Sequence, residues 1–181
     1  MDSLREKLLN ATPSLVDPNF SRTVVLVAAH DEAGALGLVL NRPSELMVAD
    51  TVEHLAGVCG AHERLHLGGP VQPGAVIVLA EFEDHARAAL IIDGDLGLPN
   101  VEAGPETLAE DVRRARCFAG HSGWGPGQLD AELEQEAWFV ESLDPEDPWI
   151  EAGPELWSRV LERKGGEYAL VARMPLDPSL N

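Results

Sequence analysis

Two runs of aliphatic and β-branched residues, Thr23 to His30 and Ala35 to Asn41, stand only four residues apart, joined by Asp31-Glu32-Ala33-Gly34. A connection that short cannot hold a crossover helix, so the runs must pair antiparallel as a hairpin. Asp31 is suited to start its turn, and Gly34 can take a positive φ. The fold therefore grows from antiparallel sheet. Arg64 to Leu67, Ala75 to Phe82 and Ala88 to Ile92 read as further strands, the first two separated by Gly68-Gly69-Pro70, and Arg116 to Gly120 as another. The sheet has at least five strands, and a short strand is expected at Tyr168 to Ala172 near the end of the chain.

Helices fill the remaining periodic stretches. After Pro43, Val48 to Ala56 places Val48, Val52, Leu55 and Ala56 on one side, and Pro105 opens a helix reaching about Arg113. Pro126 to Trp138 carries Leu129, Leu133 and Ala137 as one stripe with its acids elsewhere, which predicts an amphipathic helix lying on the sheet. Glu155 to Lys164 puts Leu156, Trp157, Val160 and Leu161 on one face and is closed by Gly165-Gly166. Strands in meander mixed with helices give an α+β class with a mixed, mainly antiparallel sheet. With 181 residues, 45% of them hydrophobic, and neither linker nor repeat, residues 1–181 read as a single domain.

Charge and the apolar runs bound the function. The longest runs, Val24 to Ala29 and Ala75 to Ala80, are far shorter than the roughly 20 residues a helix needs to cross a bilayer. Met1 to Asn10 holds no signal-peptide core, so a cytoplasmic protein with no membrane association is expected. The only cysteines, Cys59 and Cys117, suit a reducing compartment as small buried hydrophobes, with a disulfide between them as the alternative. Thirty-one Asp and Glu against 13 Lys and Arg give a formal net charge of −18. DNA, RNA and anionic membranes are repelled at long range by such a surface. No helix carries the basic residues of a major-groove reader: the Pro126 helix is acidic, and the Glu155 helix has only Arg159, Arg163 and Lys164.

Four clusters carry the candidate chemistry. Gly120-His121-Ser122-Gly123-Trp124 resembles a nucleophile elbow but puts a bulky Trp where that strained turn needs glycine. Its better reading is a pocket in which Ser122, Gly123, Gly125 and Gly127 offer bare N–H groups to a small anion at the start of the Pro126 helix. The alternative is a tight turn in which Trp124 fills the core. Cys59, His62 and His66, with His54 upstream, imitate zinc-ligand spacing but lie on elements that do not converge, so no metal is expected. His30-Asp31 could form an acid/base dyad, although capping the hairpin turn explains Asp31. Asn41-Arg42-Pro43 ends a strand and faces Gly68-Gly69-Pro70 if the two segments are neighbours. There Arg42 could hold a carboxylate or phosphate in a two-pronged fork, or pair with one of the chain's own acids.

The chain also resembles the AlgH/YqgE family of bacterial proteins, nearly end to end. The residues that carry the resemblance are Leu8, Leu9, Ala11, Pro13, Leu15, Asp17-Pro18, Phe20 and Arg22 to Val25, then His30-Asp31 and Gly34 to Pro43. Gly68-Gly69-Pro70-Val71 follows, then Gly120, Ser122-Gly123-Trp124, Gly127-Gln128-Leu129, Glu132 and Trp138. Two positions depart from the pattern: His121 stands where Tyr is usual, and Ala80 where a His is common. The resemblance implies a sheet curled into a pseudo-barrel with helices packed outside, and a name drawn from a proposed transcriptional regulator of alginate production. It supplies no catalytic residues.

The leading functional reading is a non-enzymatic regulatory or ligand-sensing protein without a cofactor, acting through a protein partner or a small anionic ligand. Its crevice would be lined by Thr23, Asn41, Arg42, Gly68, Gly69, His121, Ser122, Gly123, Trp124 and Gln128. The alternatives are a cryptic hydrolase or transferase using His30, Asp31, His121 or Ser122, and a direct DNA binder. The charge argument generates a prediction. In a gel-shift titration at physiological salt, the protein leaves duplex DNA unshifted up to about 100 μM, where ordinary non-specific binders already associate. A salt-sensitive complex at lower concentration would contradict it.

Overall fold

The computed structural model describes residues 3–100, 102, 104–151 and 153–175. Ten strands are present among the described residues: β1 (Lys7–Ala11), β2 (Val24–Asp31), β3 (Gly34–Val39), β4 (Pro43–Met47), β5 (Arg64–Leu67), β6 (Val71–Phe82), β7 (Ala88–Asp93), β8 (Leu96–Pro99), β9 (Val112–Trp124) and β10 (Trp138–Ser142). The helices are α1 (Val48–Thr51), α2 (Ala56–Cys59), α3 (Pro105–Asp111), α4 (Gln128–Glu134), α5 (Gly153–Lys164) and α6 (Tyr168–Val171). The strands follow the order β10-β1-β2-β3-β9-β6-β8-β7, with β5 attached to β9 and β4 to β5. All described pairings are antiparallel except β5 with β9. The result is an α+β fold in which a mixed, mainly antiparallel sheet curls into a half barrel with helices packed against it.

The expected hairpin forms: β2 and β3 pair from Val25↔Val39 to Asp31↔Gly34, and Asp31 Oδ1 accepts a 2.8 Å hydrogen bond from the Ala33 N–H across the turn. Its strands look apolar throughout because both faces of the sheet are covered. Leu8, Val24, Leu26 and Ala28 point to the side where α5 packs with Leu156, Trp157, Val160 and Leu161. Their sequence neighbours Leu9, Val25 and Val27 point to the opposite side, where Leu129 of α4 joins Trp124 and Trp138. A third cluster packs α2 and α3, through Val58, Cys59 and Leu108, onto Val78, Ala80, Phe82, Ala115 and Cys117.

Helix α5 is fixed by hydrogen bonds as well as by burial. The Trp157 indole donates to Ala11 O at 2.8 Å, Asn10 Nδ2 donates to Trp157 O at 3.1 Å, and the Arg22 guanidinium lies 4.4 Å from the Trp157 ring centroid. At its far end Arg163 grips the buried Asp147 carboxylate with two bonds of 2.8 and 2.9 Å. Arg163 and Lys164 also donate to Ser142 O and Val140 O, covering part of the open edge of β10.

Several elements differ from the sequence reading. Tyr168 to Ala172, expected as a strand, is the single helical turn α6, closed by a 2.9 Å bond from Ala172 N to Tyr168 O. The Tyr168 ring packs edge-on to Phe139 at 5.0 Å, and the cations of α5 already occupy the β10 carbonyls that an added strand would need. The helix expected over Val48 to Ala56 breaks into α1, a 3-10 turn at Glu53–Leu55 and α2. The helix from Pro105 ends at Asp111, and the strand expected at Arg116 to Gly120 runs the full length of β9. Likewise the Pro126 to Trp138 helix is only Gln128–Glu134: the chain reverses at Glu136, whose φ is 56°, and Trp138 starts β10.

Strand β9 is the hub. One of its edges carries β6; the other carries β5 at Phe118 and Ala119, then β3 from Ser122 to Trp124. Between those two partners sits Gly120, with φ of 68°. Gly68 and Gly69 press against this bend. A Cβ on Gly68 would lie 2.3 Å from Gly120 O, and one on Gly69 2.3 Å from the His121 carbonyl, where φ is already 149°. Backbone cannot yield as a flexible side chain can, so Gly69→Ala is expected to cost about 2–4 kcal/mol in urea unfolding. Gly74→Ala, whose Cβ would meet nothing within 4 Å, is the control and is expected to stay within about 1 kcal/mol of the parent.

Candidate functional site

The site is built where β3 leaves the sheet. Val39 N donates to Gly68 O at 2.9 Å, and Leu40 N returns to Val24 O at 2.8 Å. The buried Asn41 then acts as a latch: its Oδ1 accepts from Val24 N and its Nδ2 donates to Arg22 O, each at 2.9 Å. Thr23, also buried, donates to Phe20 O at 2.7 Å. These bonds hold the chain so that Arg42 emerges beside the end of β5, its carbonyl accepting from Leu67 N at 2.8 Å. Asn41-Arg42-Pro43 and Gly68-Gly69-Pro70 are thus neighbours. Thr23 and Asn41 serve as internal struts rather than as a lining.

Arg42 is half-buried and opens onto a cavity of about 350 Å³. The remaining walls are Asn19, Val39, Leu67, Gly69, Pro70, Pro73 and Ala119. Arg42 Nη2 donates to Ser21 O at 3.1 Å, and burial lowers the guanidinium's pKa while the carboxylate of Asp17 opposes that shift. Among the described residues no carboxylate lies within ion-pairing distance of Arg42. Arg64, Arg87, Arg113, Arg114, Arg116 and Arg163 all pair with acids, whereas Arg5, Arg22, Arg159 and Arg173 also have no acid at that distance among the described residues but do not line this cavity. In a chain of net charge −18 this isolation is the site's clearest electrostatic feature. Of the expected lining residues, Arg42 and Gly69 are brought together here. The apolar walls were missed, because Val39, Leu67, Pro73 and Ala119 come from separate strands that no local pattern brings together.

The anion cradle expected at Ser122 to Gly127 does not form. Ser122 and Gly123 lie within β9, paired with Gly37 and Leu36, and the Gly125 N–H donates to Gln128 Oε1 at 3.1 Å. Those glycines admit close backbone packing rather than a ligand. Ser122 is fully buried and donates its hydroxyl to Gly68 O at 3.2 Å, which occupies the proton a nucleophile would give up. The His121 ring lies near Gly123, and its Nδ1 is buried with no hydrogen-bond partner. Trp124 and Gln128 point to the α4 side. There the indoles of Trp124 and Trp138 both donate to Glu132 Oε2 at 2.9 Å, and Gln128 Nε2 donates to Oε1 at 3.0 Å. This ties α4 to β9 and β10.

The other clusters have local structural partners. His30 Nδ1 accepts from Leu4 N at 3.1 Å and Asp31 closes its turn, so the pair shares no proton path. His54 and His62 are exposed, whereas His66 is buried against Phe118 with ring centroids 5.6 Å apart. No group of three His, Cys, Asp or Glu among the described residues is arranged to hold a metal ion. Cys59 and Cys117 are free, buried neighbours. The hydrogen bond from Cys117 and burial push the Cys59 thiol well above its ordinary range. Among the described residues no helix is long and apolar enough to cross a membrane.

Comparison with known proteins adds the following. A family model described as AlgH-like matches residues 8–169. The chain is 45% identical over 187 residues to a UPF0301 protein of Streptomyces coelicolor, covering 100% of this chain and 97% of that one. It is 39% identical over 183 residues to a UPF0301 protein of Mycobacteroides abscessus, covering 96% and 86%. A crystal structure of a protein from Corynebacterium diphtheriae superposes with a TM-score of 0.82 at 27% identity, covering 96% of this chain and 93% of that one. The solution structure of the AlgH protein from Pseudomonas aeruginosa superposes with a TM-score of 0.73 at 30% identity, covering 97% and 96%.

The buried His66, one strand residue from the cavity wall, is expected to make the stability of the fold depend on pH. Burial, and secondarily the Arg116 cation, push its pKa down from 6.5 to about 4. Between those values the unfolded chain binds a proton that the folded chain refuses, so this contribution is complete above pH 6.5 and is lost as pH falls toward 4. The expected loss is up to about 3 kcal/mol. In parallel urea titrations at pH 7 and pH 4.5, His66→Gln should lose less stability than the parent. Equal losses would remove His66 as the cause.

Proposed function

The chain belongs to the AlgH-like family, and from that premise we propose that it is a non-enzymatic, ligand-sensing regulatory protein that binds a small organic anion at Arg42 and acts through a protein partner. The observation that carries the reading is the half-buried guanidinium, with no carboxylate in ion-pair contact, on the wall of a 350 Å³ cavity. Cavities of about 300–1,000 Å³ with apolar walls and a few polar groups are typical small-molecule sites. The regulatory part comes from the family resemblance, and the charge of −18 directs it toward a protein partner rather than toward DNA.

A hydrolase reading finds less support. Ser122 is buried with its hydroxyl engaged, and His121 and Ser122 are successive strand residues whose side chains leave opposite faces of the sheet. His30 and Asp31 are likewise consecutive in β2 and bound to separate backbone partners.

Thermal-shift screening against carboxylates, phosphate esters, nucleotides and thiols tests the reading. A ligand present at about 100 times its dissociation constant adds about 2.7 kcal/mol and raises Tm by roughly 5–10 °C. The shift should disappear in Arg42→Gln. A shift that survives this substitution would place the ligand elsewhere, and a screen with no shift at all would remove the proposal.

A further inference from the structure

We infer that the ligand class of the Arg42 cavity is a small monocarboxylate with an apolar tail, rather than a phosphate, a nucleotide or a polycarboxylate. This rests on the reading of the cavity as an anion site and narrows it.

The charge on offer is one guanidinium, partly compensated. Arg42 is the single charged residue among those lining the cavity, and the carboxylate of Asp17 is already close enough to act on it. One further negative charge has the Arg42 guanidinium to meet it in contact. A second would face Asp17 and the net −18 of the chain with no cation to meet it. Donor geometry points the same way. Nη2 gives one of its two hydrogens to Ser21 O, and a two-pronged edge of the guanidinium stays free for the two oxygens of a carboxylate. A phosphate is ordinarily held by several backbone N–H groups at a glycine-rich turn. Here Gly68 N is spent on Ala119 O, so the turn cannot offer the run of N–H groups that such a cradle needs.

The remaining walls call for hydrocarbon. Val39, Leu67, Pro70, Pro73 and Ala119 offer aliphatic surface. Leu67 is 47% exposed and Val71, next to Pro70, is 37% exposed, so apolar surface continues out of the cavity along β5 and β6. A tail anchored at Arg42 removes that surface from water, whereas a compact polar anion leaves it wet.

The test is isothermal titration calorimetry of the full chain with acetate, butanoate, hexanoate and octanoate, alongside hexanol, hexylamine and hexyl phosphate. Affinity should rise about three- to fourfold for each buried methylene along the acid series. Hexanoate should bind at least about tenfold more tightly than hexanol, hexylamine or hexyl phosphate, as expected when one well-formed charge-assisted bond is gained or lost. Arg42→Gln should remove the preference of hexanoate over hexanol. Leu67→Ser, at an exposed position that leaves the core untouched, should flatten the chain-length series while sparing acetate. Phosphate or hexyl phosphate binding through Arg42 as tightly as hexanoate would overturn the monocarboxylate assignment and leave the anion site standing. Hexanol binding as well as hexanoate, with Arg42→Gln silent, would reduce the cavity to an apolar hollow and overturn it too. Absence of binding by every anion would end both proposals.

Discussion

The structure depends on one close backbone approach, that of Gly68-Gly69 to β9 at Gly120–Ser122. Four strands meet there: Val39 of β3 donates to Gly68 O, Gly68 N donates to Ala119 O of β9, β5 ends at Leu67, and β6 begins at Val71 opposite His121. Residues with side chains would force these strands apart, because the space a Cβ needs is already filled by carbonyl groups. With the contact made, β3 and β5 share one edge of β9 in succession, and the bend at Gly120 lets the sheet curl between them. The cavity beside Arg42 follows from the same seam. Two residues without side chains, followed by Pro70 and Pro73, leave a hollow that the neighbouring strands wall but do not fill.

Patterns set by local chemistry were readable in the chain. The hairpin of β2 and β3 and the apolar stripe of α5 need only nearest-neighbour rules, and both formed as expected, although the four-residue connection tightened to a two-residue turn with Asp31 and Gly34 paired. Glycines were harder to read because glycine answers two different demands. At Gly34 it meets the turn that was expected; at Gly123 it lies in a paired strand, so a stretch read as a strand-to-helix turn is the end of β9. The apolar stretch at Tyr168 misled for another reason: whether it joins a sheet depends on what already occupies the edge, and Arg163 and Lys164 had taken it. For the site, the facing of Arg42 and Gly69 was foreseeable from two strand-end motifs. Its walls come from β3, β5, β6 and β9 and from the loop at Asn19, and no local pattern brings those together.

Two arginines show how one acidic chain treats cations in opposite ways. Arg116 is 2% exposed and held on several sides: Nη1 donates to Pro148 O at 2.8 Å, Nη2 to Trp149 O at 3.3 Å, and Nε lies 3.5 Å from Glu63 Oε2, an ion pair without a hydrogen bond. Burial lowers its pKa and Glu63 opposes the shift, so its charge is neutralised by the fold and is spent in pinning the 148–150 segment to β9. Removing one partner of such a pair would strand the other charge away from water, which fixes Arg116 as a structural residue. Arg42 also feels burial but meets only a carbonyl and the field of a nearby acid. A surface of net charge −18 keeps polyanions away over the ~8 Å reach of unscreened charge at physiological ionic strength. Within contact distance, however, the local balance at Arg42 decides. Long-range repulsion and short-range attraction therefore act on different classes of anion, and a fold hostile to nucleic acid can still hold a place for a small one.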